Sequence, residues 1–173
     1  MDNVPKNHAT VEIIDYRPQY RSAFRDLNYA WLQRSFEVEP FDRIILNDPE
    51  AHILKHGGAI LFARQGNEIV GTCGLLKHTD SKYELCKVTV VEKLRGRGIG
   101  TKLVEAAIDR AQSLGASKVV LATSDKISAA NRLLEKLGFA ETDIGEIGPL
   151  SYKRHTIVMA LDLTDWQPRG GLD

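Results

Sequence analysis
The chain has 173 residues, enough for one domain with a substantial core, and 43% hydrophobic against 27% charged residues reads as soluble and globular. Its 23 basic and 23 acidic residues cancel, so overall electrostatics give no reason to expect nucleic acid or an anionic membrane as partner. Two cysteines, Cys73 and Cys86, make no disulfide framework, and no leader-like or membrane-spanning apolar run is present, so a reducing cytoplasm is the expected setting.

In chain order, residues 11–16 read as a strand, and Pro18 then opens a helical pattern on Phe24, Leu27, Ala30, Trp31 and Leu32. A second helical region, residues 41–54, is broken at Asn47-Asp-Pro49 and stopped by Gly57-Gly58. Residues 59–64 and 68–76 are two strands joined by a turn at Gln65-Gly-Asn67, followed by a polar break over residues 77–82. Residues 83–91 form the next strand. From Ile99 the positions Leu103, Val104, Ala107, Ile108, Ala111 and Leu114 fall on one helical face, and Gly115 stops the helix. A strand at 118–123, a helix at 128–137 ended by Gly138, and sheet segments from Phe139 and over 152–163 complete the chain. The tail from Thr164 reads as loose, with Trp166 able to pack back. One domain over residues 1–173, with its core at about 11–163, accounts for all of this.

The informative stretch joins a strand to a helix through Arg95-Gly-Arg-Gly-Ile-Gly100-Thr101. Glycines let the backbone approach a ligand and adopt φ > 0, and the unpaired N–H groups of a new helix favour an anion such as phosphate. Arg95 and Arg97 can add charge-assisted contacts. A nucleoside-triphosphate loop requires Gly-Lys-Ser/Thr, whereas this chain reads Gly100-Thr101-Lys102. A dinucleotide fingerprint starting at Gly98 would place its third glycine at Leu103, and too few βα repeats follow. The plain alternative is a connecting turn, which needs neither three alternating glycines nor two arginines.

Arg95-x-x-Gly98-x-Gly100 between strand and helix resembles the acyl-CoA pyrophosphate loop of the GNAT superfamily of N-acetyltransferases. Residues 130–139, a helix ending in Leu-Gly-Phe139, resemble that family's second signature. The resemblance spans about residues 11–163 and is sharpest over 84–139. It implies an α/β (α+β) fold: a mixed, mostly antiparallel sheet of six or seven strands, flanked by helices, with a splayed central strand pair. Acetyl-CoA would be the co-substrate and lie in the V between those strands. Backbone groups of Val88 and Val90 would hold the pantetheine arm, and those of Arg95, Gly96, Arg97, Gly98, Gly100 and Thr101 the pyrophosphate. Asn131 is a candidate contact near the CoA arm, although family members often place that asparagine one turn earlier, at Ile127 here.

Transfer to an amine requires a neutral nucleophile, and a lysine-like amine costs roughly 4–5 kcal/mol to deprotonate at pH 7. Glu84, eleven residues before Arg95, matches a position where several family members carry a catalytic glutamate. Period-two alternation puts it on one strand face with Cys86, Val88 and Val90, provided no bulge intervenes. The alternative is a strand glutamate paired with a neighbouring lysine. The family's usual acid for the leaving thiolate is a helix tyrosine, and this chain has Leu134 there; Tyr152, Tyr83 or Cys86 could replace it, or the thiolate could leave unprotonated. The five histidines have no zinc-site spacing, so no metal is expected, and His78 and Asp80 read as a solvated turn. Trp31, Phe36, Glu37, Glu39 and Phe41 read either as an acceptor site or as core and solvated face. The expectation is an acetyl-CoA-dependent N-acetyltransferase acting on a small-molecule or protein amine; the alternative is a catalytically weak acyl-CoA-binding sensor. A homodimer, common in the family, stays open.

Overall fold
The computed structural model describes residues 9–167. Strands β1 (Val11–Asp15), β2 (Ala59–Gln65), β3 (Glu68–Lys77), β4 (Lys82–Val90), β5 (Lys118–Thr123), β6 (Ala140–Thr142) and β7 (Ile157–Asp162) form one sheet in the order β1-β2-β3-β4-β5-β7-β6. Every neighbouring pair is antiparallel except β4 and β5. This is the mixed, mostly antiparallel sheet that the resemblance implied.

Helices cover both faces. On one, α1 (Arg21–Ser35) and α2 (Pro40–Asn47) pack Phe24, Leu32, Ile45 and Leu46 against Ile60 and Phe62 of β2. On the other, α3 (Ile99–Ser113) and α4 (Ser128–Lys136) cover Leu61, Leu75, Tyr83 and Val119. Helix α1 buries positions spaced by four, and the middle one is a polar residue, Asn28. Asn28 Nδ2 donates to Phe24 O at 2.8 Å and to Thr72 Oγ1 at 3.0 Å, which satisfies it inside the core. Pro40 starts α2, and Glu39 and Asp42 form a reciprocal capping box. Helices α3 and α4 stop at Gly115 and Gly138, both at positive φ.

Two expectations change. The last sheet segment begins at Ile157 rather than at residue 152, because Tyr152, Lys153 and Arg154 are drawn away from the sheet to α2 and β4. Glu84 does not share a face with Val88 and Val90. Thr72 lies opposite Thr89 and Gly74 opposite Cys86, so β4 carries one extra residue at Lys87-Val88, and Lys87 takes φ 53°. Tyr83 and Leu85 before this bulge, and Val88 and Val90 after it, pack on the α3 face, which leaves Glu84 and Cys86 on the α1–α2 face. Trp166 does pack back, 8% exposed, with Nε1 donating to Asp109 Oδ1 at 2.9 Å. The remainder of the tail, from Pro168, lies outside the described residues.

Asp42 holds α2 to the β6–β7 connection. Its carboxylate is fully buried and accepts two hydrogen bonds from Arg154, each 2.7 Å, and one from Lys87 Nζ at 2.6 Å. Burial pushes its carboxyl up, but the Arg154 hydrogen bonds and the Lys87 charge outweigh that and hold it at about 2. His155 is pushed down to about 4 by burial and by the Arg154 and Lys87 charges. Both groups bind protons less readily folded than unfolded, so both contribute stability at neutral pH that acid removes. Urea midpoints measured against pH should fall first between about 6.5 and 4, as the unfolded chain protonates His155. They should fall again between about 4 and 2, as Asp42 is forced to protonate, and His155→Gln should remove the upper phase. Gly58 supplies a second test, because a Cβ there would sit 2.2 Å from Leu75 O and 2.8 Å from Ile53 O. Gly58→Ala should cost about 1–3 kcal/mol of unfolding free energy by denaturant titration.

Candidate active site
β4 and β5 pair only where Lys82–Glu84 faces Lys118–Val120; beyond that they part. The bulge at Lys87 turns β4 away, and Thr72 Oγ1 fixes it by donating to Lys87 O at 2.8 Å. A cleft of about 920 Å3 occupies the gap and reaches both faces of the sheet. Val88, Val90, Leu121 and Leu134 line it within the gap.

On the α3 face the cleft ends at the glycine loop. Gly96 and Gly98 adopt φ 76° and 81°, and a Cβ on either would meet nothing within 4 Å. Gly100 is helical and in ordinary contact range of Leu133 and Val90, so only two of the three glycines serve left-handed backbone. No side chain caps α3, and Gly98, Ile99, Gly100 and Thr101 line the cleft. The helix start therefore presents unpartnered N–H groups and the positive end of its dipole to open space, which fits a pyrophosphate. Arg95 lines the cleft and donates from Nε to Val90 O at 3.2 Å, whereas Arg97 lies outside the lining. Asn131 also lies outside it. Its Oδ1 accepts from Thr123 Oγ1 and its Nδ2 donates to Ser124 O, both at 2.9 Å, so its side chain ties α4 to the end of β5.

The α1–α2 face holds the chemistry-bearing side chains. Glu84 is 18% exposed, and its Oε2 lies 3.0 Å from His78 Nε2; both residues line the cleft. His78 is thus part of the site, while Asp80 points to solvent and pairs with Lys77. Among the acid candidates, Tyr83 is core. Cys86 lines the cleft with its thiol pushed up to about 12 by burial and the Glu84 charge. Tyr152 lines the cleft, and its hydroxyl accepts from Lys87 Nζ at 3.2 Å. Its ring is fixed by Phe41 at 5.5 Å, His155 at 4.8 Å and the Arg154 guanidinium at 4.1 Å. Burial and the Asp42 charge raise its phenol well above the ordinary value.

Trp31 and Phe41 line the cleft; Phe36, Glu37 and Glu39 instead border a smaller pocket of about 310 Å3. Among the described residues, no group of His, Cys, Asp and Glu could hold a metal, and no helix is long and apolar enough to cross a membrane. The Asp42–Lys87–Arg154–Tyr152 cluster escaped the sequence reading, because its members are far apart in the chain and carry no shared motif.

Comparison with known proteins agrees with this geometry. Residues 17–139 match the model of the acetyltransferase (GNAT) family. Over 104 residues the chain is 32% identical to the uncharacterized N-acetyltransferase YvbK of Bacillus subtilis (strain 168), covering 58% of this chain and 67% of that one. Other curated relatives are longer in proportion: the chain spans 27% of one and 52% of another. Its fold superposes with a TM-score of 0.81 on an acetyltransferase of the GNAT family from Staphylococcus aureus Mu50, at 23% identity over 89% of this chain and 99% of that one. It superposes with a TM-score of 0.71 on yncA, a putative acetyltransferase from Salmonella typhimurium solved with its cofactor acetyl-CoA, at 22% identity over 91% and 96% of the two chains. With the family match covering most of the sequence and the fold agreeing across nearly all of it, the chain belongs to the acetyltransferase (GNAT) family.

Proposed function
We propose that the protein transfers the acetyl group of acetyl-CoA directly to a primary amine of a small molecule or protein. One observation carries this reading: a single gap between β4 and β5 joins an open anion-binding helix start on one face to a half-buried carboxylate, Glu84, on the other. A thioester spanning the gap would therefore meet its acceptor beside Glu84. Free Cys73 and Cys86 support a reducing compartment, the cytoplasm.

Glu84, oriented by His78, takes a proton from the acceptor amine, either directly or through a water. Backbone N–H groups at the start of α3 hold the pyrophosphate, and Val88 and Val90 border the pantetheine arm. With Leu134 at the helix-tyrosine position, Tyr152 is the phenol that lines the cleft. Lys87 can only donate, so the Tyr152 oxygen accepts and its own hydrogen is free to point into the cleft. Burial keeps the phenol protonated and makes it a weak acid, so Tyr152 steadies the departing thiolate by a hydrogen bond rather than by giving up its proton. The alternative is an acyl-CoA sensor without turnover, favoured only by Leu134 in the tyrosine's place.

Purified protein should release free CoA thiol from acetyl-CoA with at least one amine of a broad panel; tight acetyl-CoA binding with no product from any amine would favour the sensor. Glu84→Gln should lower kcat about 100-fold or more while calorimetry finds acetyl-CoA affinity unchanged, and an undiminished rate would remove Glu84 from the mechanism. In the same assay, Tyr152→Phe keeps the ring packing and should lower kcat by about tenfold, since a thiol of ordinary pKa is a tolerable leaving group. Gly98→Glu puts a carboxylate where the pyrophosphate is proposed to sit. It should abolish acetyl-CoA binding by calorimetry in protein whose circular dichroism shows it folded, and intact binding would overturn the assignment of the loop.

A further inference from the structure
The acceptor side presents a carboxylate before the bulge and, beyond it, two cations whose own counter-ions lie away from the cleft. Glu84 stands at one end, on β4 before the bulge. At the other end Lys87 and Arg154 also line the cleft, although their side chains are only 7% and 8% exposed. Their carboxylate partners lie behind them: Asp42 is fully buried, and Glu39 borders the smaller pocket. The cationic groups therefore sit between the cleft and their own counter-ions. Lys87 has three donors, two of them engaged by Asp42 and Tyr152. Arg154 spends three hydrogen bonds of its five-donor fork on Asp42 and Glu39. Trp31, Phe41 and Ile45 supply apolar surface on the α1–α2 side.

We infer that the acceptor is a small zwitterion, an amino-acid-like amine whose carboxylate is received by Lys87 and Arg154 while its amine meets Glu84, with an apolar side chain against Trp31 and Phe41. This rests on the acetyltransferase reading and narrows its acceptor class. A buried donor wall selects for an anion because, without one, its donors face an uncharged ligand and lose the water they held. Charge-assisted hydrogen bonds in a water-poor site are worth about tenfold to a hundredfold each in affinity.

The test compares matched amines with the purified wild-type protein and acetyl-CoA: phenylalanine against phenethylamine, and leucine against 3-methylbutylamine. Each kcat/KM is referred to the neutral-amine fraction, so that the lower amine pKa of the amino acids does not enter. The carboxylate-bearing member of each pair should be favoured at least tenfold, mostly through KM, and Lys87→Gln should narrow that ratio. Equal or better turnover of the amines lacking a carboxylate would overturn the inference while leaving the acetyltransferase reading standing. Turnover of neither set would overturn the inference, and the acetyltransferase reading would fall with it only if no amine of the broad panel gave product. A preference untouched by Lys87→Gln would remove Lys87 from the carboxylate's recognition, and if that variant does not fold, the wild-type ratio alone decides.

Discussion
The site depends on the carbonyl of Lys87 being held by Thr72, which is held in turn by Asn28. These two hydrogen bonds, at 2.8 and 3.0 Å, pin a left-handed residue in the middle of a central strand. A non-glycine residue at positive φ costs on the order of 1 kcal/mol or more and persists only where its surroundings fix it. Three things follow from that one residue. β4 leaves β5 after three paired residues, the facing of every later side chain on β4 is reversed, and the Lys87 side chain is delivered to Asp42.

Asp42 turns this local kink into a two-sided cleft. A fully buried carboxylate is costly unless it is paired and hydrogen-bonded, and here Lys87 from β4 and Arg154 from the β6–β7 connection both satisfy it. Removing either cation would leave charge buried without compensation. The cluster therefore fixes where α2 and the Tyr152 loop stand relative to Glu84, and the same three groups that close this wall give it its polarity.

Much of the fold was legible because it is local. The glycine loop, the helix periodicity after Ile99, the Gly115 and Gly138 stops and the β2–β3 hairpin are each encoded within about 15 residues, and each forms as its pattern implies. The bulge was not legible: nothing in Cys86-Lys-Val-Thr89 signals an extra residue, because its cause lies on α1 and β3. The end of the sheet was misplaced for a related reason. Residues 152–156 run directly into the last strand, yet Arg154 finds Asp42 and Lys153 N finds Glu39, more than 100 residues away in sequence. Sequence pattern located the glycine loop at one end of the cleft and the Glu84 carboxylate on its other face. The partners of that carboxylate, and the cations opposite it, depend on contacts between distant segments.

The division of the cleft by sheet face is also a division by chain segment. The glycine loop, β4, β5 and α4 come from one continuous stretch, residues 82–136, whereas most of the opposite wall is borrowed from residues 28–56 and 147–155, with residues 76–78 beside Glu84. The two borrowed segments meet each other through Asp42 and Arg154 and touch the continuous stretch chiefly at Lys87. Substitution in either can reshape what enters from that side without disturbing the glycine loop, so acceptor choice and cofactor binding can drift independently in this architecture. Glu84, Cys86 and Lys87 are the exceptions, since they belong to the continuous stretch yet face the α1–α2 side; Lys87 also carries the contact with Asp42, so a change there would be felt on both faces of the sheet at once.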